Sequence, residues 1–558
     1  MLTPNYETIA LELKHLIKGD VSLENIDRER TARDTSLFYV KPEMVVYPKN
    51  SLDIGALFEY VLKKKIEGYH IAVAMRSAGT CMTGGSLTFS IVVDTTKYMN
   101  HVTMVTGEYA VTEPGVYYRD FEKETLKEGW IMPSYPASRE LAAMGGIVSN
   151  NSGGEKTLTY GKTEKYIQSL DVVYASGARD VLHAFTEEEL EKKMNEHGEG
   201  GRIHKEMFEL ISKNYDLIKS AKPTVSKNSS GYYLWNVYDR DTGVFDLSKL
   251  IAGSQGTLAG VTSITLTGVK PKTHSRMLVM FVPSTVHLGE IIVKMLTHKP
   301  ETLESYDDHT FKIAIKFFKD IAVRMGGNMI TLGFKFLPEF WMALTGGVPK
   351  IILMAEFTGD SEEEVDQKVA KAYEDMKQFN LPIKRTKNES EAKKYWTFRR
   401  ESFNLLRSRM KGYRTAPTID DIVVHPNDLP EFLPKLDAIF SKEAYKDLVY
   451  TVAGHMGDAN FHIIPLVDIH KEGIAEVLHA LMDEVYTLVF EYRGSMSGEH
   501  NDGLLRTPYL EKMFSKEIVE LFEKTKAIFD PHGILNPMKK VHGDKDFAWS
   551  HVDVGQQS

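Results

Sequence analysis

Two histidines seven residues apart, His455 and His462 in "GHMGDANFH" (454–462), are followed by a carboxylate beside a third imidazole, Glu499 and His500 in "GEH" (498–500). Two imidazoles and one carboxylate that leave positions open are the donor set of a catalytic Zn²⁺, or of a similar borderline ion such as Mn²⁺ or Co²⁺. The neighbouring His500, with an ordinary pKa near ~6.5, is then free to move protons. Any one of these histidines alone reads more readily as a satisfied polar residue; the grouping in glycine-flanked motifs is what points to a site. Asp458, inside the first motif, suits either a second-layer partner for a ligating imidazole or an Asx turn.

Elements must bring these residues together. "DLVYTVAGHMGDANFHIIPLVDI" reads as two strands with "GHMGDAN" between them, which lets both rings reach one point. Glu499 and His500 are adjacent, so an extended segment would send them to opposite faces, whereas a bent loop need not. Upstream, Ile9, Leu11, Leu13, Leu16 and Ile17 make an apolar face for a helix over 5–19. "MVVYPKN" is a strand ending at a proline turn, Ser51 is a candidate cap for a helix running to about Lys65, and "HIAVAMR" is a second strand. Strand, helix, strand and a glycine-rich loop make an α/β unit. Beyond Pro271 the texture changes to strands followed by amphipathic helices. This predicts three stretches: 1–271, 272–514, and a C-terminal segment 515–558.

That first glycine loop, "RSAGTCMTGGS" (76–86), lets backbone N–H groups approach an anion closely. It matches neither G-x-G-x-x-G nor the P-loop. Two more follow, "AAMGGIVSNNSGGEKTLTYG" (142–161) and "GSQGTLAG" (253–260). Three such loops without a basic cluster suit a long ligand gripped by backbone, such as a dinucleotide.

Bulk properties narrow the classes. The 558 residues carry a formal net charge of -9 and show no long basic run, which argues against nucleic acid. The single cysteine, Cys81, rules out an intrachain disulfide and a cluster held by four thiolates of this chain. No signal-peptide pattern and no apolar run near ~20 residues are present, so the expectation is cytoplasmic, with peripheral contact at the inner face of a membrane left open. A homo-oligomer is likewise left open.

The ordered set "VVYP", "RSAGTCMTGG", "YPASRELAAMGGIVSNNSGG", "GSQGTLAG", "GHMGDANFH", "SGEH" and "FDPHGILNP" resembles the FAD-linked oxidases, whose flavin domain is shared with vanillyl-alcohol oxidase and glycolate-oxidase D subunits. Within them it is most similar to the D-lactate and D-2-hydroxyglutarate dehydrogenase branch, over about residues 36–540. The resemblance implies an α+β chain: a two-lobed α/β FAD-binding domain and an α+β cap with an antiparallel sheet. It implies non-covalent FAD held by Arg76, Ser77, Ala78, Gly79, Thr80, Cys81, Met82 and Thr83 at the pyrophosphate. Pro136, Met144, Gly145, Gly146, Ser149, Asn150, Gly153, Gly154 and Gly161 would lie along the flavin, with Gly256, Thr257 and Val261 at the adenine side. Asn536 would close over the ring.

It further implies a divalent ion, Zn or Mn, on His455, His462 and Glu499, and His500 as base. Arg399 would grip a substrate carboxylate, with Arg506 a second candidate and the neighbouring Arg400 a surface charge. The reaction implied is oxidation of a D-2-hydroxy acid to the 2-keto acid. The electrons would pass to a quinone, an electron-transfer flavoprotein or an iron–sulfur subunit rather than to NAD.

Departures from the family pattern carry expectations too. At the position aligned with the lysine that relatives acting on 2-hydroxyglutarate use for the distal carboxylate stands Asp420: either the alignment slips there or the far end of the substrate is not anionic, which favours a D-lactate-like acid. "GEHNDG" replaces "GEHGIG", so Asn501 and Asp502 are expected to reshape the pocket. Gln255 stands where glutamate is common. D-2-hydroxyglutarate oxidation, an oxidase or non-redox flavoenzyme, a flavin-free metal hydrolase and a non-catalytic flavin-binding subunit stay as alternatives.

Overall fold

The computed structural model describes residues 2–308, 348–393, 395–397, 399, 413–446, 448–468 and 470–553. Three sheets organise them. The first has the order β1-β2-β4-β3, from β1 (Asp20–Ser22), β2 (Met44–Tyr47), β3 (Val73–Arg76) and β4 (Ile91–Asp94). β2, β4 and β3 are parallel. Every residue of β2 and β4 is buried, as expected for parallel strands covered on both faces. The helix Ser51–Ile66 makes the crossover. Its cap is Asn50 rather than Ser51: the Asn50 side chain accepts from the N–H groups of Leu52 and Asp53. The first helix, Tyr6–Leu16, packs Ile9, Leu13 and the following Ile17 into this core, while Leu11 and Leu16 are 63% and 54% exposed, so its apolar face is narrower than expected.

The second sheet is antiparallel, ordered β5-β6-β10-β7-β8-β9 from β5 (Val102–Val105), β6 (Tyr109–Thr112), β7 (Ile167–Val173), β8 (Arg179–Phe185), β9 (Phe245–Asp246) and β10 (Gly260–Thr267). Gly177, at φ +88°, turns β7 into β8, a conformation that glycine reaches without a Cβ penalty.

The third sheet is also antiparallel and has eight strands. It comprises β11 (His274–Val282), β12 (Thr302–Asp307), β13 (Ile351–Gly359), β14 (Ile383–Arg385), β15 (Arg414–Thr415), β16 (Ile422–Val423), β17 (Val449–His455) and β18 (Asn460–Val467). The path is β14-β11-β13-β12-β17-β18-β15, with β16 on β18. After the helix Lys516–Phe529 the chain returns to the first sheet: Val73 N–H donates to Ile534 O, and Asn536 N–H to Val73 O. Among the described residues no helix is long and apolar enough to cross a membrane.

Candidate active site

Period-two alternation explains how the hairpin presents its histidines. Thr451, Ala453 and His455 share one face of β17, and His462 and Ile464 share the same face of β18, with Ala453 opposite His462 and Thr451 opposite Ile464. The hairpin turn is shorter than the expected "GHMGDAN": Met456–Asp458 form a 3₁₀ turn and Ala459 takes φ +47°. All five side chains line one cavity of about 570 Å³.

Glu499 and His500 reach the same cavity because their loop is bent around Asp421. Asp421 Oδ2 accepts the N–H groups of Glu499 (2.9 Å) and His500 (2.7 Å) and the Ser497 hydroxyl (2.8 Å). Its Oδ1 accepts from Asn460 Nδ2 at 3.0 Å, tying this loop to the hairpin.

Three imidazoles converge on one oxygen. Glu499 Oε1 lies 3.2 Å from His455 Nε2, 3.5 Å from His462 Nε2 and 3.8 Å from His500 Nε2. Behind each ring stands a carboxylate: Glu304 Oε1 at 2.7 Å from His455 Nδ1, Asp420 Oδ1 at 2.9 Å from His462 Nδ1, and Asp420 Oδ2 at 2.7 Å from His500 Nδ1. At His455 and His462 the carboxylate is hydrogen-bonded to Nδ1, which fixes that nitrogen as the donor and turns the Nε2 lone pair toward the common point, whereas His500 and Asp420 meet as an ion pair without hydrogen-bond alignment. The donor atoms of His455, His462 and Glu499 all lie within 4.8 Å of one another, as a metal-ligand set requires.

The electrostatics are strong in both directions. Burial alone would raise the Asp420 pKa, but His500 and His462 hold it well below the usual carboxylate range. Burial alone would lower His462, yet Asp420 and then Glu499 push it up to about 10, so a cation in the site displaces a proton. His500 is raised despite its burial, by Asp421 and Asp420. Glu499 is held well below its ordinary value against burial, chiefly by Lys227 and His455. Lys227 is fully buried, with Nζ 3.3 Å from Glu499 Oε2 and 3.4 Å from Asp458 Oδ2. Asp458 therefore faces Lys227, and the expected place behind an imidazole belongs to Glu304 and Asp420.

The arginine expectations divide. Arg399 lines the cavity and forms an ion pair with Glu304 Oε2, while its Nε has no hydrogen-bond partner among the described residues. Arg400 lies outside the described residues. Arg506 is fully buried away from the cavity: it donates to Tyr486 Oη (3.0 Å), Asn501 O (3.0 Å) and Asp420 O (2.6 Å), and so supports backbone rather than substrate. Asp420 does not replace a lysine facing the far end of a substrate; it sits between two imidazoles. Asn501 and Asp502 do not line the cavity either. Asn501, at φ +68°, donates to Gly253 O (2.9 Å), and Asp502 is buried against Lys540 Nζ (2.9 Å).

The other wall comes from the glycine loops. Arg76, Ser77, Ala78, Gly79, Thr80, Cys81 and Met82 line it, with Pro136, Gly145, Gly146, Ser149, Asn150, Gly153, Gly256 and Val261. Among the described residues the N–H groups of Ser77–Met82 make no backbone hydrogen bond, which leaves them as donors for an anionic group. A Cβ on Gly146 would enter the cavity, its nearest neighbour being Ser77 Cβ at 4.0 Å. These features fit a long dinucleotide such as FAD. The Arg76 guanidinium turns away, donating to Arg33 O (2.7 Å) and Thr31 O (3.3 Å).

Six expected cofactor contacts lie off the wall. Thr83 is buried beside Cys81 Sγ, and Met144 sits in the apolar core. Gly154 is required by Tyr135 O, which a Cβ would meet at 2.1 Å. Gly161 ends the short helix Thr157–Tyr160. Thr257 Oγ1 pairs with Tyr232 Oη at 2.6 Å. Asn536 lies beneath the loops, its amide donating to Gly85 O and Gln255 O at 2.7 Å each. Gln255 lines the cavity and accepts from Gly503 N–H at 2.8 Å. Glu304, Asp421 and Lys227 were not anticipated: each comes from a distant segment with no spacing motif.

Comparison with known proteins bears on both walls. The family profile "FAD binding domain" matches residues 42–180, and "FAD linked oxidases, C-terminal domain" matches 271–540. The D-2-hydroxyglutarate dehydrogenase of Pseudomonas putida is 24% identical over 531 residues, 94% of this chain but 50% of that protein. The chain thus spans half the length of that relative. The D-lactate dehydrogenase of Anaerostipes hadrus is 24% identical over 535 residues, 94% of each chain. Among solved structures, p-cresol methylhydroxylase with substrate bound superposes with a TM-score of 0.67 at 13% identity, over 96% of each chain, a likeness of fold.

Proposed function

Because the chain belongs to the FAD-linked oxidases, with a flavin-binding unit of the vanillyl-alcohol-oxidase type and an antiparallel cap, we propose that it oxidises a D-2-hydroxy acid, D-lactate-like in size, to the 2-keto acid. The observation that carries this reading is the convergence of three imidazole Nε2 atoms on Glu499 at one wall of a cavity whose other wall is the glycine cradle. Bound FAD would supply the acceptor for the hydride lost from C2. A divalent ion, Zn²⁺ or Mn²⁺, held by His455, His462 and Glu499 would supply Lewis acidity toward the α-hydroxyl oxygen.

The residues do the rest. His500 accepts the hydroxyl proton at Nε2, and Asp420 at its Nδ1 stabilises the imidazolium that results. Arg399 offers its uncommitted Nε edge to the substrate carboxylate. Together they would fix the orientation of C2 in the cavity. The substrate thereby loses a hydride and a proton. The two electrons go to an acceptor other than NAD: a quinone, an electron-transfer flavoprotein or an iron–sulfur subunit.

The D-lactate-like preference is supported by the cavity's cations. Among the described residues the cavity's arginine and lysine side chains are Arg399 and Arg76, the latter already bound to carbonyls, which leaves one guanidinium among them to clamp a carboxylate. Oxidation of D-2-hydroxyglutarate is the second reading, favoured by the name of the Pseudomonas putida relative. The test is anaerobic bleaching of the yellow protein by a panel of D- and L-2-hydroxy acids. Bleaching by the D acids, lost on chelation and restored by Zn²⁺ or Mn²⁺, is expected. No bleaching by any D acid, or equal bleaching by L acids, overturns the proposal.

A further inference from the structure

Glu304 is not in the donor set, yet it touches both parts of the site. It is 1% exposed and lies in β12 opposite His455, so its side chain emerges on the face that carries the histidines. Its two oxygens serve different partners. Oε1 is 2.7 Å from His455 Nδ1, and Oε2 is paired with the Arg399 guanidinium. A buried carboxylate hydrogen-bonded through one oxygen and ion-paired through the other cannot rotate to serve one partner without leaving the other. Among the described residues Arg399 Nε has no hydrogen-bond partner, and its fork can hold Glu304 by one edge and a substrate carboxylate by the other.

We propose that Glu304 is a positioning residue that couples the ligand His455 to the substrate clamp Arg399, holding the metal position and the carboxylate subsite at a fixed separation. This rests on the function proposed above. The geometry makes the two groups one frame: the ring of His455 is oriented by the same carboxylate that aims Arg399. An α-hydroxy acid bound through both its carboxylate and its hydroxyl needs such a fixed separation, because the two oxygens sit on neighbouring carbons.

The test uses FAD-loaded protein in four forms: wild type, Glu304→Gln, Arg399→Gln and the double variant. Zn²⁺ binding is titrated directly, and KM and kcat are measured for D-lactate at saturating metal. Glutamine keeps the size of the side chain but cannot accept at both ends. Glu304→Gln is expected to weaken Zn²⁺ binding by about 10–100-fold, the usual effect of losing a carboxylate behind a ligating imidazole. It is also expected to raise KM by about 10-fold with kcat within about 3-fold. Because Glu304 acts on substrate through Arg399, the double variant is expected to show the KM of Arg399→Gln alone.

Wild-type Zn²⁺ affinity and KM in Glu304→Gln, or additive KM effects in the double variant, overturn the proposal. Should Glu304→Gln not retain FAD, Glu304→Asp, which withdraws both oxygens by one methylene, is measured in the same way. A wild type that neither binds a divalent ion nor is bleached by D-2-hydroxy acids sinks the functional reading itself. A wild type that does both, with unaltered variants, sinks only the role of Glu304.

Discussion

The site's chemistry rests on single carboxylates shared between rings. Asp420 is hydrogen-bonded to His462 through Oδ1 and ion-paired with His500 through Oδ2, so one side chain bears on a candidate ligand and the candidate base together. Asp420→Asn leaves one acceptor for two Nδ1–H groups. It should lower Zn²⁺ affinity by about 10–100-fold, read by titration, and reduce kcat at saturating metal as well. His500→Gln removes the proton acceptor while its backbone stays tied to Asp421, so kcat should fall by about 100-fold or more with FAD content unchanged. The departure "GEHNDG" has a structural consequence at this scale. Asp502 and Lys540 are both fully buried and paired, and Lys540 also donates to Ser229 O and Gly231 O. Lys540→Met strands the Asp502 charge and should cost about 3–5 kcal/mol in denaturant unfolding. His455, His462, Glu499 and His500 were legible because their types and spacing repeat a known donor pattern. Glu304 and Lys227 were not, since a lone acid in "TLESYD" or a lysine in "SKNSS" looks like any other until the chain folds.

At the scale of elements, alternation made the hairpin readable, and the shared face of β17 and β18 follows from it directly. The order in which sheet neighbours meet was not readable. β12 pairs with both β13 and β17, joining segments about 150 residues apart, and no local pattern encodes that pairing. The β12–β13 pairing places Glu356 opposite Thr302, and Glu356 receives a hydrogen bond from Trp396, three residues before Arg399. Burial, with Glu301 and Glu155 adding to it and Lys156 opposing, pushes the Glu356 carboxyl up to about 7. Its ordinary value is 4.5, so between these values the folded state binds a proton that the unfolded chain releases. The group therefore costs stability most fully above pH 7, and the cost is relieved as pH falls toward 4.5. Glu356→Gln keeps an acceptor for Trp396 and removes the titration. Denaturation at pH 8 and pH 5.5 should show the variant gaining about 1 kcal/mol more at the higher pH, after discounting for the partial exposure of the residue. An equal gain at both pH values would contradict this account.

Across the whole molecule, the cavity exists only where the third sheet is held against the loops of the first two, so contacts that bridge them govern the site without touching it. Lys156 and Glu301 form one such bridge at 2.8 Å. The C-terminal end of the described chain forms another. Asp553 Oδ2 lies 2.7 Å from Arg33 Nε and 2.6 Å from Arg414 Nη1, while Asp553 N–H donates to Leu37 O. Arg33 O receives the Arg76 guanidinium beneath the first glycine loop, and Arg414 precedes Thr415 on the cavity wall. One carboxylate thus ties the flavin side to the cap side. Both arginine side chains are about a third exposed, at 37% and 36%, so each pair is worth only about 0.5–1 kcal/mol. Asp553→Asn should then lower stability to denaturant by about 1–2 kcal/mol and raise KM for the acid by less than about 3-fold, because Thr415 loosens while the histidines and Glu499 keep their own supports. High salt should weaken the wild type toward the variant, since pairs with partly exposed arginines are screened. A loss of Zn²⁺ affinity in Asp553→Asn would mean instead that the clasp reaches the metal-binding residues, which the separate anchoring of Glu499 and His500 by Asp421 argues against.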